Sequence, residues 1–441
     1  MADNGNKSFS RIIIYLLLIL LPLLIVTAYH LPPPDLFAYN LGRALALAAF
    51  VILILQVALA ARLKWIEKPF GLNLTFPFHR RMGLLAATLL LCHPFLMALG
   101  GGGWHLLLGD NTWYLWVGRI AWLTLLINVS LSLWRLPLGL KFEDWRRGHS
   151  ISGPLIIVLA LVHSWFASVD FTLGSMKILW VAFLGLAGVL FWHHKFYTPA
   201  LLRRHPYQVV DVIQETHDVW TLKFAPPPGQ ARFDFLPGQF HFVTLLRGRG
   251  LPEEEHHFTI SSSPAEAGFL TSTIKASGDF TATIPETKPG DTALIQGPFG
   301  RFSHLLHPEA QDLVCIAGGI GITPFISNLR HLRDTRTDKR VLLLYANKRE
   351  EDIVFREELD QMAAGSTPEL RVIHVLSRPG EPWQGEKGRL DQAKINRLCG
   401  DRLEGSLFFL CCPPAMTQSL LQILKGLAVP EGRISLEYFS L

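Results

Sequence analysis

Six stretches of this 441-residue chain are apolar and long enough to cross a bilayer: residues 11–29, 38–62, 80–99, 113–134, 150–169 and 176–194. A spanning helix needs about 20 such residues, and only a helix satisfies every backbone amide within its own segment where no water is at hand. All six lie before Ala200. The first half, residues 1–200, is therefore predicted to be a bundle of six transmembrane helices, and its chemistry must be carried by side chains that project between them. The first stretch has the basic flank of a secretory signal in Lys7 and Arg11, but continues without a small-residue cleavage site and is read as a retained helix.

Charge divides at the same point. Up to Ala200 there are 15 Lys and Arg against 7 Asp and Glu; beyond it there are 26 against 29. A basic excess confined to the membrane half is a topology signal and argues against nucleic acid as a partner. With the N-terminus inside, the connections on that side hold Lys7, Arg11, Arg62, Lys64, Lys68, Arg80, Arg81, Arg135, Lys141, Arg146, Arg147 and Lys195, while the opposite side holds only Lys177. The expectation is a multi-pass protein of a plasma membrane (bacterial inner membrane) with its second half in the cytoplasm. The five cysteines, Cys92, Cys315, Cys399, Cys411 and Cys412, form neither a CxxC pair nor a CxxCH site, which argues against a disulfide framework, a zinc site and a covalently attached haem.

From about Tyr207 the pattern changes to short alternating segments broken by turns such as Leu236-Pro237-Gly238-Gln239 and Lys288-Pro289-Gly290-Asp291, the signature of a small antiparallel β-barrel over residues 205–305. After about Leu305, strands Asp312 to Ala317, Val341 to Ala346, Arg371 to Leu376 and Leu407 to Cys411 alternate with helical patterns. An α/β nucleotide-binding domain with a parallel sheet is predicted for residues 306–441.

Within the membrane half, His79 and His93 lie at the start and middle of the third stretch, and His149 and His163 stand in the same relation to the fifth. Each pair is fourteen residues apart. Fourteen steps of about 100° return to nearly the same helix face, about 21 Å further along the axis. Two such helices side by side offer facing imidazoles at two depths, each pair able to hold one haem iron by both axial positions. A zinc site would place its ligands within a turn or two, and a proton path, the reading open to a lone histidine, does not account for two equal spacings. Arg43 and Arg119 also fall inside spans, near the outer end, and a guanidinium there needs an anion. Propionates of the outer haem are expected for both, with lipid phosphates the alternative for Arg43.

In the second half, His256-His257-Phe258-Thr259-Ile260-Ser261-Ser262 ends a strand, Lys275-Ala276-Ser277-Gly278-Asp279-Phe280-Thr281 follows, and then come Gly297-Pro298-Phe299-Gly300 and Cys315-Ile316-Ala317-Gly318-Gly319-Ile320-Gly321-Ile322-Thr323-Pro324. Strand, glycine turn and a helix opening at Thr323-Pro324 put free amides at a helix N-terminus, suited to a dinucleotide pyrophosphate. Pro324 stands where the third glycine of a GxGxxG fingerprint would be, so this is not that motif.

With these motifs and the spaced histidines, the chain resembles the NADPH oxidase and ferric reductase family over nearly its whole length, and its second half is similar to the ferredoxin-NADP reductase superfamily. The resemblance implies FAD with its ring on Phe258, the Thr259 hydroxyl at the flavin N5 and His256 on the phosphates, although His257 replaces a usual proline. Ser261, Gly278, Thr281, Gly297 and Gly300 are implied as further flavin-site residues. Gly318, Gly319, Gly321, Thr323 and Pro324 match the family's GGxGxTP turn. Cys411, Pro413 and Met416 match a Cys-Gly-Pro-x-x-Met loop beside the nicotinamide, with Cys412 in place of the glycine. Phe439 is implied as the near-terminal aromatic covering the flavin, with Tyr438 the alternative. Lys348 and Arg349 after one strand, and Ser377 and Arg378 after the next, suit the 2′-phosphate of NADPH.

The implied activity is electron transfer from NADPH through FAD and two haems of the b type to an acceptor across the membrane. Oxygen, forming superoxide, is favoured by Arg43 beside the outer haem and by short outer loops; a ferric or other metal chelate is the alternative. Membrane lipid is the expected surrounding, and no obligatory protein partner is expected. A transporter or proton channel would call for discontinuous spans or an inverted repeat, and neither is found in the sequence.

Overall fold

The computed structural model describes residues 2–29, 37–109 and 112–438, and divides into two compact units, residues 1–199 and 200–441. Among the described residues of the first unit, six helices are long and apolar enough to cross a membrane. They are α1 (Ala2–Ala28), α2 (Phe37–Ala60), α3 (Leu72–Met97), α4 (Trp113–Leu133), α5 (Phe142–Ala167) and α6 (Gly174–Trp192).

α3 and α5 begin some eight residues before the apolar windows read from the sequence. Hydropathy sees where lipid begins, whereas the helix continues into its polar turns. At α5 those turns hold Glu143 and Asp144, favourable near a helix N-terminus, paired one turn on with Arg146 at 2.7 Å and Arg147 at 3.5 Å. Both helices have 26 residues, and in both the histidines are the eighth and twenty-second.

α2 is the buried axis of the bundle, with Ala49 to Leu55 all enclosed. α3 packs chiefly on α2 and α5 on α4, while α3 and α5 make little backbone contact with each other. Phe50 of α2 stacks on Trp180 of α6 at 5.1 Å, and the Trp180 indole donates to Ser164 Oγ of α5 at 3.2 Å. Pro94 in α3 has no N–H for the carbonyl of Leu90, a loss that matters where water is absent. The Trp122 indole of α4 donates to that carbonyl at 3.0 Å and so ties the two helices at this turn.

The second unit opens with a six-stranded antiparallel sheet in the order β4-β3-β6-β1-β2-β5. Its strands are β1 (Tyr207–Thr216), β2 (Val219–Ala225), β3 (Phe240–Leu246), β4 (Glu255–Thr259), β5 (Leu270–Lys275) and β6 (Thr292–Phe299). Alternate residues Val209, Leu222, Phe224, Val243, Leu245 and Ile274 fill its interior.

A parallel sheet follows in the order β10-β9-β8-β7-β11-β12. It comprises β7 (Asp312–Gly318), β8 (Arg340–Asn347), β9 (Glu369–Leu376), β10 (Glu386–Lys387), β11 (Leu407–Cys411) and β12 (Ile434–Glu437). β7 is apolar without alternation because it is covered on both faces: Leu313, Cys315 and Ala317 join one core, Val314 and Ile316 the other. The architecture is the one expected from the sequence: membrane helices, an antiparallel flavin-type domain and an α/β nucleotide-type domain.

The two sheets meet at a seam built on α7 (Thr323–Asp334), the helix that follows the glycine turn. Gly238, at φ 84°, donates its N–H to Ser327 Oγ at 3.2 Å, and a Cβ there would stand 2.0 Å from the carbonyl oxygen of Phe302. Asn328 of the same helix accepts from the His304 N–H at 3.0 Å. The Pro-Gly turn is therefore a docking surface, which its composition alone does not disclose.

Candidate functional site

In the membrane unit the histidines meet in pairs. The His79 and His149 rings have centroids 6.1 Å apart, and those of His93 and His163 are 6.5 Å apart, each pair inclined at 72°. An imidazole nitrogen sits about 2 Å from a bound transition metal, so two rings sharing one iron from opposite sides have centroids about 6 Å apart. Both pairs fit that requirement.

The outward nitrogens of three of these rings are engaged. His93 Nδ1 donates to the Gly42 carbonyl at 2.9 Å, His163 Nδ1 to the Tyr114 carbonyl at 2.9 Å, and His149 Nδ1 to Asn128 Oδ1 at 3.0 Å. A carbonyl only accepts, so Nδ1 carries the hydrogen and Nε2 keeps the lone pair a metal needs. His79 differs: its Nδ1 is buried with the Gln56 backbone as neighbour, and makes no hydrogen bond of ordinary geometry among the described residues. Glycine makes two of these contacts possible. A Cβ on Gly118 would lie 2.5 Å from His163 Nδ1, and one on Gly42 would lie 3.0 Å from Leu96.

Of the two arginines, Arg43 departs from expectation. Arg43 meets a carboxylate of the chain itself: its Nε donates to Asp170 Oδ2 at 2.8 Å and its Nη2 to Oδ1, with Asp170 wholly buried and also accepting from Ser168 Oγ at 2.7 Å. The anion expected from a propionate is thus Asp170, on the turn Val169–Thr172. Arg119 lies over the Trp116 ring at 4.4 Å, and its Nη2 donates to the carbonyls of Leu106 and Gly109 at 2.9 Å. It caps the short helix His105–Leu108, whose last carbonyls attract a cation. Arg43 thus has its anion within the chain, while Arg119 is met by main-chain carbonyls and the Trp116 ring.

In the second unit Phe258 and His256 share one face of β4. The His256 ring stacks on Phe280 at 4.1 Å and hydrogen-bonds Glu254 at 3.0 Å. Thr281 Oγ1 accepts from the N–H groups of Ser277 and Gly278 at 2.9 and 2.8 Å, which closes that loop beneath the aromatic surface. His257 turns to the other face, between Phe240 and Phe242. That face is shared by Thr259. Ser261 is corrected. It is wholly buried, and its hydroxyl joins Thr271 and Thr273, both at 2.9 Å, inside the sheet, so it does not reach a cofactor.

Gly318 ends β7 against the loop after β11. A Cβ there would lie 2.8 Å from Pro413 and 3.1 Å from the Met416 sulfur, so glycine is what lets the two ends close up. Cys412 does not obstruct this approach, because its side chain is buried and its thiol donates back to the Ile316 carbonyl at 3.3 Å. Gly319, at φ 56°, turns the chain into Gly321, Thr323 and Pro324 at the start of α7. The loops after β8 and β9 are tied by backbone bonds from Ser377 to Asn347 at 3.0 Å and from Arg378 to Lys348 at 2.8 Å. Lys348, Arg349, Ser377 and Arg378 are thereby gathered at one edge, with Arg349 also paired to Glu351 at 3.1 Å. Phe439 lies outside the described residues.

One residue went unmarked in the sequence. Glu437 pairs in register with Cys411 and lies near Gly300, whose Cβ would stand 3.7 Å from its Oε2. Burial pushes its carboxyl up to about 8 and, with that neighbouring carboxyl, raises the Cys411 thiol well above its ordinary range. A lone Glu in a terminal strand gives no signal until the pairing is known. Because the folded state keeps a proton that the unfolded chain sheds between about pH 4.5 and 8, stability falls as pH rises through that window, by a few kcal/mol in all. Glu437→Gln is expected to remove the slope: melting temperatures measured from pH 5 to 9 should fall for the parent relative to the variant, and parallel curves would refute the assignment.

Comparison with known proteins agrees with this architecture. The family described as ferric reductase like transmembrane component matches residues 45–160, the oxidoreductase FAD-binding domain matches 206–304, and the oxidoreductase NAD-binding domain matches 315–422. The class so defined is a multi-pass membrane oxidoreductase with a flavin and NAD(P)H module. More particularly, the three components in this order match the fusion found in proteins of the NADPH oxidase and ferric reductase type.

Among curated relatives, the glycine betaine monooxygenase reductase subunit of Chromohalobacter salexigens is 33% identical over 232 residues, 51% of this chain and 61% of that protein. The plasma membrane-associated coenzyme Q6 reductase of Saccharomyces cerevisiae is 32% identical over 195 residues, 44% and 62% respectively. The chain thus spans less than two thirds of the length of either. Among solved structures, the FAD/NAD-binding domain of a Vibrio cholerae nitric oxide dioxygenase is 21% identical with a TM-score of 0.48, over 53% of this chain and 98% of that one.

Proposed function

We propose that this protein carries electrons from NADPH, by way of FAD and two b-type haems, across a plasma membrane (bacterial inner membrane) to molecular oxygen, forming superoxide. The observation that carries the reading is the pair of ring separations, 6.1 and 6.5 Å, at two depths of one bundle. His79 with His149 and His93 with His163 would hold the two irons. FAD held here would supply the exchange between one hydride, an electron pair, and single electrons, and haem iron held by the histidine pairs would supply one-electron carriage.

The protein's part is to bind, align and exclude water. Phe258 offers the flavin an aromatic face with His256 beside it, Thr259 standing on the strand's opposite face, and Gly278 and Thr281 shape the adjoining loop. Gly297 and Gly300 keep the neighbouring strand close, since a Cβ on either would crowd His241 or Phe240 at 2.9 Å. Gly318, Pro413 and Met416 form the nicotinamide surface, and the basic edge at Lys348, Arg349 and Arg378 suits the 2′-phosphate. The distribution of Lys and Arg among the connections supports a cytoplasmic nucleotide module.

Arg43 does not decide the acceptor, since Asp170 engages it. A ferric chelate is the second reading, favoured by the family of the transmembrane component. Sealed vesicles supplied with NADPH on the module's side distinguish the two. Dye reduction outside that is sensitive to superoxide dismutase and ceases under argon is the expected result. An undiminished anaerobic rate, with ferrous iron trapped outside, would replace oxygen by the chelate.

A further inference from the structure

The two levels of histidine pairs differ in what lies behind the rings, and at one ring the difference is imposed by a side chain. Asn128 of α4 faces His149 of α5 through its amide, with Oδ1 3.0 Å from Nδ1. An amide is ambiguous by itself, since oxygen and nitrogen are similar in shape. Here the surroundings remove the ambiguity.

Asn128 Nδ2 contacts Ser152 Oγ, and the Ser152 hydroxyl spends its single hydrogen on the Gly148 carbonyl at 2.9 Å. Ser152 Oγ must therefore accept, which makes the amide nitrogen the group that faces it. The amide oxygen is left facing His149, and it accepts from Nδ1–H. The chain of donors Asn128 Nδ2 to Ser152 and Ser152 to Gly148 thus sets the tautomer of a ring on another helix, and leaves its Nε2 unprotonated. Two further contacts hold the assembly: Ser132 Oγ bonds the Asn128 carbonyl at 2.7 Å and receives the Trp145 indole at 3.1 Å, while the Trp145 ring stacks on His149 at 5.2 Å.

A hydrogen bond donated by Nδ1–H makes a ligating imidazole a stronger electron donor, which favours the oxidised metal and lowers the midpoint potential. At the His93/His163 level both acceptors are main-chain carbonyls, of Gly42 and Tyr114, which substitution of their own side chains leaves in place. At the other level His79 Nδ1 has the Gln56 backbone as neighbour, and Asn128 is the side chain that supplies the acceptor for His149. We propose that Asn128, held by Ser152, is a positioning residue that sets the potential of the His79/His149 centre separately from that of the His93/His163 centre. The inference rests on the two-haem reading above, and its test separates the two.

The test is potentiometric titration of the purified, haem-loaded full-length protein, following the haem absorption bands, for the parent, Asn128→Val and Ser152→Ala. Haem is assayed per chain first: a parent with fewer than two haems overturns the two-haem reading itself. With two haems in place, Asn128→Val is expected to raise one midpoint and leave the other unmoved. Ser152→Ala, which frees the amide to turn but keeps the acceptor, should raise the same midpoint by less. Unmoved midpoints in both variants, or equal movement of both midpoints, would overturn the role given to Asn128. Should Asn128→Val lose haem, Ser152→Ala decides by the same criterion.

Discussion

His149→Leu is expected to abolish delivery of electrons across the membrane while sparing reduction of soluble artificial acceptors by NADPH. The variant removes one ligand from the level at which His79 and His149 face each other at 6.1 Å. Weakening a group behind a ligating histidine already costs about 10–100-fold in metal affinity, so deleting the ligand should cost at least ~100-fold. The remaining pair lies about 21 Å further along the helices. The FAD and NAD(P)H module is a separate compact unit, residues 200–441, with its own cores, and its chemistry should persist. The checks are haem per chain, expected to fall toward one, and two rates on one preparation, one across vesicles and one with an artificial acceptor. A transmembrane rate equal to the parent's would sink the assignment of His149 as a ligand.

Asp170→Asn should produce the largest loss of stability in the membrane unit. Arg43 is 9% exposed and Asp170 is fully buried, and the two share a two-bond contact. Breaking a buried pair from one side leaves an uncompensated charge and costs about 3–5 kcal/mol, whereas replacing both partners with apolar residues is often neutral. The effect should reach the haem site, because Gly42, the neighbour of Arg43, supplies the carbonyl that receives His93 Nδ1. Thermal unfolding in detergent, followed by the haem absorption, should show a lower midpoint and loss of one haem component for Asp170→Asn, with substantial recovery in Arg43→Met/Asp170→Leu. A single variant as stable as the parent would mean that the pair is solvated.

Much of the architecture could be read locally. Runs of about 20 apolar residues mark helices in lipid whatever surrounds them, and fourteen residues return to one face of any α-helix, so His79, His93, His149 and His163 stood out before any packing was known. The same holds for Gly318 to Pro324, where strand, turn and helix are consecutive in the chain. Helix ends were misplaced at α3 and α5 because apolarity stops at the lipid boundary and the hydrogen-bonded helix does not. Ser261 was misassigned because its motif shows neighbours along the strand, whereas its burial comes from Thr271 and Thr273 on the adjoining strand.

By itself, then, the amino-acid order determined six membrane helices, two matched histidine spacings and two successive nucleotide-type domains, since each follows from periodicity, length or adjacency. Tertiary structure alone decided which groups answer one another. Arg43 and Asp170 are 127 residues apart, and Asn128 and His149 lie on different helices 21 residues apart. The physical reason is that a buried charge or ring nitrogen is completed by whatever packing brings within about 3 Å, and no local pattern records which distant residue that is.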